Sequence, residues 1–328
     1  MNKTTITKIG VFTSGGDAPG MNAAIRAVVR SANYYQVESL GINRGYEGMI
    51  DGEISKLGTR SVGNIIQRGG TILKCARSDN FRTKEGRAKA IANLRKQGID
   101  GLVAIGGDGT FRGMHELIKD SGIPAICVPG TIDNDISGTD YTIGYDTATN
   151  TAVEAIDRIR DTALSHNRLF FIEVMGRHSG YIALNSAIAG GAVAVIIPEE
   201  QTTFDELYTL LEQSGKANKK SSLVVVAEGA KLNAMELARM VAERSNYFDI
   251  KVTILGHLQR GGSPTYFDRV LASQMGLAAV EGLLRGEKDC MVGTRNGKMV
   301  LNAFEDIMNG QVHEIDQEAL RLAKILST

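Results

Sequence analysis

Cysteine is scarce in this 328-residue chain, and the three present are not arranged for structural chemistry: Cys75, Cys127 and Cys290 form no CxxC pair and share no ligand spacing with histidine. An odd number cannot close a disulfide framework, which points to a reducing cytosol. Net charge is absent too. Thirty-seven basic side chains balance 37 acidic ones, so no global field draws the chain to nucleic acid or to an anionic membrane surface. Anionic ligands must be held by local groups. No stretch approaches the ~20 apolar residues of a membrane span, and the N-terminus passes from a short polar lead into Lys8–Gly16 without the apolar stretch of a secretory signal. A cytoplasmic protein is expected, with neither nucleic acid nor membrane as partner. Proline-rich linkers, low-complexity tracts and internal repeats are missing as well, so composition marks no domain boundary.

What is present is apolar bulk and clustered glycine. The composition is 43% apolar, enough for a sizeable core, and about 150 residues per domain suggests two domains. Glycine pairs open at Gly15, Gly69, Gly106, Gly190 and Gly261, and such pairs let backbone approach a ligand closely. Apolar runs at Ile9–Phe12, Leu102–Ile105, Ala125–Val128, Leu169–Val174, Val193–Ile197, Leu223–Ala227 and Val252–Leu255 lack polar alternation, as parallel strands buried on both faces should. Helical patterns alternate with them, among them Met21–Asn33, Gly86–Gln97, Phe111–Lys119, Thr147–Leu164, Phe204–Gln213, Ala234–Arg244 and Asp268–Arg285. The alternation predicts an α/β fold, whose ligands bind beyond the carboxyl ends of the strands.

The chemistry-bearing motifs fall at those ends. In Thr13–Asn22, TSGGDAPGMN, a strand ends in a glycine pair and a helix is expected to begin near Pro19, a geometry able to cradle a phosphate. A glycine pair alone is equally a tight βα turn. Ile105–Thr110, IGGDGT, repeats the arrangement with Asp108 as a carboxylate for Mg²⁺, where the plain alternative is an Asp-Gly turn. Pro129–Asp140, PGTIDNDISGTD, sets Asp133 and Asp135 two residues apart. In an extended stretch both would face the same way, and an aspartate base suits phosphoryl transfer to an alcohol. Arg177, in EVMGRHSG, and His257 and Arg260, in LGHLQRGGSP, follow predicted strands and can grip phosphate. His115 and His313 read as structural or solvated residues, and the spaced Met235 and Met240 as helix-face packing.

Taken in order with RGGT, these motifs closely resemble the bacterial ATP-dependent 6-phosphofructokinase family over nearly the whole chain. The resemblance implies two doubly wound, Rossmann-like three-layer domains with mainly parallel sheets and the active site in the cleft between them. It sets 1–144 plus 259–309 as the ATP-binding domain and 145–258 plus 310–328 as the sugar-phosphate-binding domain. It implies that Gly16, Arg77, Ser78, Gly107, Asp108, Gly109 and Thr110 bind ATP, that Asp108 serves Mg²⁺, and that Asp133 is the base, with Arg77 and Arg177 stabilising the phosphoryl group. Thr131, Ile132, Asp133, Met175, Gly176, Arg177, Glu228, His257, Leu258, Gln259 and Arg260 would hold fructose 6-phosphate. Arg168 and Lys251 would reach the 6-phosphate from a neighbouring subunit of a homotetramer.

Pyrophosphate-dependent relatives commonly carry Asp and Lys where this chain has Gly109 and Gly130, so room for a nucleoside favours ATP. Lys251 replaces the arginine of well-studied members and loses its two-pronged donor, which predicts weaker sugar-phosphate binding. In the implied effector site Arg26, Arg30, Arg160 and Lys219 are retained, with Arg60 and Lys216 nearby. Thr59, Asn64, Val193 and Ala217 stand where charged residues are usual, which predicts weak or altered response to ADP or phosphoenolpyruvate. The alternatives are a pyrophosphate-dependent enzyme, a lipid or NAD kinase sharing GGDGT, and a non-catalytic sensor, whose signature would be loss of Asp108 or Asp133.

Overall fold

The computed structural model describes residues 6–166, 168–216, 222–309 and 314–327. The chain divides into two compact units: Met1–Ile132, Ile136–Asp146 and Arg260–Val312 in the first, and Asp133–Asp135, Thr147–Gln259 and His313–Thr328 in the second. His313 lies outside the described residues.

The first unit runs β1 (Lys8–Thr13), α1 (Met21–Tyr34), β2 (Glu38–Ile42), α2 (Gly45–Asp51), β3 (Ile54–Leu57), α3 (Lys84–Lys96), β4 (Gly101–Gly106), α4 (Asp108–Ser121) and β5 (Ala125–Pro129). The chain then enters α5 (Tyr145–His166). The second unit follows with β6 (Arg168–Val174), α6 (Tyr181–Ala189), β7 (Ala194–Ile196), α7 (Phe204–Lys216), β8 (Ser222–Ala227), α8 (Ala234–Arg244) and β9 (Asp249–Ile254). The chain returns to the first unit with α9 (Tyr266–Arg285), β10 (Cys290–Arg295), β11 (Lys298–Ala303) and α10 (Phe304–Asn309), and ends in the second with α11 (Gln317–Leu326).

Each unit is an α/β fold around its own sheet. The first has seven strands in the order β11-β10-β5-β4-β1-β2-β3, parallel except at the two edge pairs. The second has four parallel strands in the order β7-β8-β6-β9. One core of the first unit gathers Phe12, Leu40, Met49, Leu94, Leu102, Met114 and Phe304; that of the second gathers Leu169, Phe171, Leu207, Val224, Leu237 and Val241. Cys127 and Cys290, on neighbouring strands, are buried free thiols, and burial pushes the Cys290 thiol up to about 12. Among the described residues no helix is long and apolar enough to cross a membrane.

Three expectations need correcting. Pro19 is not in the first turn of α1: the helix starts at Met21 behind Gly20, whose φ of 106° makes the turn. Val252–Leu255 is not a strand buried on both faces, because β9 is a sheet edge and Ile254 is 57% exposed. Met235 stands exposed on α8 rather than packed, and Met240 is half-buried. His115 does pack, edge-on to the Phe304 ring.

On α1 and α9 the backbones approach so closely that a Cβ at Gly276 would lie 2.7 Å from Ala27 Cβ and 2.9 Å from the Ala24 carbonyl. Gly276→Val is therefore expected to overpack this crossing and lower stability by about 1–3 kcal/mol, read as a fall in denaturant midpoint at unchanged m-value.

Candidate functional site

In the first unit, two strand ends build one loop pair. After β1 the Ser14 N–H donates to the Ile105 carbonyl at 3.0 Å, tying the Ser14–Gly16 loop to the end of β4. A Cβ on Gly106 would sit 2.3 Å from Thr110 Oγ1 and 2.5 Å from the Ser14 carbonyl oxygen, so only glycine permits the approach. Gly15 adds a left-handed φ of 84°. Opposite, Gly107 is the extended residue before α4, and Asp108, Gly109 and Thr110 form its first turn, where N–H groups and the helix dipole favour anions. Thr110 is 2% exposed, and its hydroxyl oxygen is buried without a hydrogen-bond partner. A buried polar atom left unpaired marks a place where a ligand completes the bonding. A phosphate oxygen at this helix start meets that demand.

Asp108 is exposed, with Oδ2 accepting from Arg112 Nε at 2.9 Å. No cluster of three or more His, Cys, Asp or Glu side chains able to hold a metal occurs among the described residues. Mg²⁺ fits such a site, because it takes one or two carboxylates and completes its shell with phosphate and water oxygens.

Neighbouring segments are pinned to this loop pair. Tyr46, buried, donates from its hydroxyl to the Thr110 carbonyl at 2.5 Å and stacks on Phe81 with ring centroids 4.0 Å apart. Phe81 N–H in turn donates to Ser78 Oγ at 3.1 Å, so Tyr46 links the Gly107–Thr110 turn to the segment carrying Arg77 and Ser78. Arg77 is exposed. Asn22 donates to the Arg68 and Gly69 carbonyls at 3.0 and 3.2 Å and accepts from Ile72 N–H at 2.8 Å. A Cβ at Gly69 would fall 2.3 Å from the Gly262 carbonyl, so the two glycine-rich loops lie backbone to backbone. Arg260 Nη1 donates to the Asp17 carbonyl at 3.1 Å and fills the space a Cβ at Gly16 would need. The structure thus sets Arg260, assigned from sequence to the sugar, against the Ser14–Asp17 loop. Thr131 lies near Gly107, with its carbonyl accepting from the Thr142 hydroxyl at 2.6 Å.

In the second unit Asp133 is 2% exposed, and Arg177 Nε lies 3.9 Å from its Oδ2. The expectation that Asp133 and Asp135 share one face of an extended stretch fails, because Asn134 between them takes a φ of 50° and turns the chain. Arg177 is itself left-handed, with φ 54°. Three backbone donors fix it there. The Gly176 and Arg177 N–H groups donate to Glu228 Oε1 at 3.3 and 2.8 Å, and Met175 N–H to Gln259 Oε1 at 2.9 Å. Gly229 is required, since a Cβ there would strike the Arg177 carbonyl oxygen at 1.8 Å. Ile132 and Gln259 are fully buried, and Gln259 Nε2, like the Thr110 hydroxyl, is buried without a hydrogen-bond partner; His257 and Leu258 are exposed in the turn Gly256–Arg260.

Arg168 and Lys251 are brought together by a residue not singled out in the sequence, Asp249, which accepts from Arg168 Nε at 2.8 Å and from Lys251 Nζ at 2.6 Å. Its place two residues before Lys251 on a strand was a readable signal, since both side chains then share a face.

The implied effector residues are less open. Arg160 donates to the carbonyls of Gly190 and Gly191, and Val193 is buried with the second unit's core residues. Arg26 and Arg30 lie one turn apart on α1, and partial burial, then the Arg30 charge, pull the Arg26 guanidinium below its usual range. Thr59, Arg60 and Asn64 are exposed; Lys219, Ala217 and the Lys216 side chain lie outside the described residues. A cavity of about 570 Å³ lined by Val193, Thr202, Leu210 and Leu320 contains none of the catalytic, nucleotide or sugar-phosphate residues named above.

A family model described as phosphofructokinase matches residues 8–283. The chain is 57% identical over 320 residues to "ATP-dependent 6-phosphofructokinase 1" of Thermus thermophilus, covering 98% of this chain and 99% of that protein. It is 53% identical to the "ATP-dependent 6-phosphofructokinase" of Bacillus licheniformis over the same shares. Among solved structures, the phosphofructokinase of Saccharomyces cerevisiae superposes with a TM-score of 0.85 at 36% identity; it covers 97% of this chain, which spans only 46% of the yeast chain. A pyrophosphate-dependent phosphofructokinase from Marinobacter aquaeolei gives a TM-score of 0.84 at 22% identity, over 98% of this chain and 92% of its own, a likeness of fold alone.

Two glycines read together from the sequence part company in the structure. A side chain at Gly109 would enter open space, whereas one at Gly130 would meet Ile105 Cγ2 and Met21 Cε, each at 3.2 Å. A side chain at Gly130 is therefore opposed by core packing, whatever a ligand also needs there. Gly109→Asp, at a helix start that tolerates acid, is expected to hold its denaturation midpoint, and Gly130→Lys to lose about 1–3 kcal/mol.

Proposed function

This chain belongs to the phosphofructokinase family, and on that premise we propose that it is an ATP-dependent 6-phosphofructokinase. It transfers the γ-phosphoryl group of ATP to the 1-hydroxyl of fructose 6-phosphate, giving fructose 1,6-bisphosphate and ADP in cytoplasmic glycolysis. The observation that carries the reading is 57% identity along 98% of the chain to a protein of that activity by name. The retained Asp108 and Asp133, and the orphan Thr110 hydroxyl at a glycine-built helix start, support it.

The first unit is the nucleotide side. Gly16, Gly107, Asp108, Gly109 and Thr110 receive the phosphates, with Arg77 and Ser78 on the tethered neighbouring segment. Mg²⁺, held by Asp108, supplies charge neutralisation on the phosphate oxygens. The second unit is the sugar side. Asp133 takes the proton of the 1-hydroxyl as that oxygen attacks the γ-phosphorus, and the bond to the bridging β,γ-oxygen breaks, leaving ADP. Arg177, 3.9 Å from Asp133 through Nε, has further N–H donors that would stabilise the charge spreading over the transferring group. Glu228 commits Oε1 to the loop, so Oε2 accepts from a sugar hydroxyl. Arg168 and Lys251 hold the 6-phosphate, in the active site of a neighbouring subunit of a homotetramer. Thr131 and His257 complete the sugar contacts.

Asp133→Ser tests the chemistry: ADP release with fructose 6-phosphate is expected to fall by about 10²–10⁴, with ATP binding retained and pyrophosphate inactive as donor. Undiminished turnover would remove Asp133 from the role of base. Regulation by ADP is expected to be weak, because Arg160 is committed to backbone carbonyls and Val193 carries no charge to hold a metal or a phosphate. Strong ADP activation that disappears in Arg26→Ala would contradict this.

A further inference from the structure

Arg168 opens β6 and lies in register with Asp249 on the parallel neighbour β9, while Lys251 is in register with Phe170. Residues 249 and 251 project from one face of β9. Two cations and one acid are thus crowded onto a few ångströms of sheet, and each carboxylate oxygen takes one cation: Oδ2 faces Arg168 and Oδ1 faces Lys251. The arrangement copies what two oxygens of a phosphate would do. Both cations keep donors in reserve, Arg168 at its Nη atoms and Lys251 on its ammonium, so a further anion can still bind.

We propose that Asp249 is a resident anion that occupies Arg168 and Lys251 and thereby sets the affinity for the sugar's 6-phosphate. The inference rests on the reading above in which those two cations meet that phosphate. Bonding first to Lys251 and then to Arg168 holds the Asp249 carboxyl below the usual carboxylate range, so the competitor is charged at every working pH and is no pH switch. When the phosphate dianion arrives it must share its cations with a like charge, which weakens binding. The side chains of Asp249 and Lys251 are 48% and 44% exposed and that of Arg168 is 25% exposed. Ion pairs so open to water are weak and screened, so the dianion wins and Asp249 attenuates binding without blocking it.

The test uses the full-length enzyme with saturating MgATP and compares wild type, Asp249→Asn, Asp249→Ser and Lys251→Met. Both Asp249 variants are expected to lower KM for fructose 6-phosphate by about twofold to tenfold, the span set by release of exposed ion pairs, with kcat and KM for ATP unchanged. Inorganic phosphate should become a tighter competitor of fructose 6-phosphate by the same factor, a change that loss of mere structural support would not bring. Lys251→Met should raise KM for the sugar phosphate. If Lys251→Met raises it while the Asp249 variants leave it unchanged or raise it too, Asp249 orients the cations and the inference is wrong. If Lys251→Met leaves KM unchanged, the assignment of these cations to the 6-phosphate falls, and the inference with it.

Discussion

Backbone approaches backbone at the ends of β1 and β4 only because position 106 carries no side chain. A single methyl there would drive out either the Thr110 hydroxyl or the Ser14 carbonyl, and with them the geometry that turns two strand ends into an anion-binding helix start. The surrounding contacts exist to hold that approach. Tyr46 pins the Thr110 carbonyl, Asn22 pins the Arg68–Ile72 stretch, and Gly69 against Gly262 brings in the loop that carries Arg260. Two side chains and one glycine pair make these contacts. They convert glycine, the most flexible residue, into a fixed cradle, which is the condition for preorganised catalysis.

Charge is handled by the same local logic. A chain with no net charge cannot attract phosphates from a distance, and several charged groups of the proposed site are matched at short range by others of the chain: Asp108 by Arg112, Asp133 by Arg177, and Arg168 with Lys251 by Asp249. The pairs differ in burial, and burial decides their meaning. Those at Asp108 and Asp249 are open to water and weak, so a ligand displaces or shares them readily. Asp133 is buried, where removing a partner charge is far more disruptive.

Strands buried on both faces were legible because they are apolar nearly throughout, with Glu173 in β6 the one charged interruption: β1, β4, β5, β6 and β8 all lie within a residue or so of their apolar runs. The edges of the first sheet were not. β3 (ISKL) and β11 (KMVLNA) mix lysine with apolar residues because one face or one edge meets water, and β2 opens on Glu38. Helix α6 (YIALNSAIA) escaped for the opposite reason, since it is apolar almost all round and offers no 3.6-residue contrast. At the site, the motifs located the loops correctly, but tertiary contacts decided what each residue does. Gln259 lies in a motif suited to ligand contact and also braces the Met175–Arg177 loop by accepting from the Met175 N–H, and nothing in PGTIDND announces that Asn134 turns the chain between its two aspartates.

The strain at Arg177 follows from these placements. A non-glycine residue at positive φ costs about 1–3 kcal/mol and persists only where its surroundings over-determine it. Here three consecutive N–H groups are taken by Glu228 and Gln259, and Gly229 leaves the Arg177 carbonyl its space. At about 0.5–1.5 kcal/mol net for each hydrogen bond, three bonds are enough to offset the strain, and two are barely so. The direction of the guanidinium toward Asp133 is therefore not a property of Arg177 alone. It is imposed by an acid and an amide on other elements, and the same Glu228 that would meet the sugar also fixes the arginine that would meet the phosphoryl group.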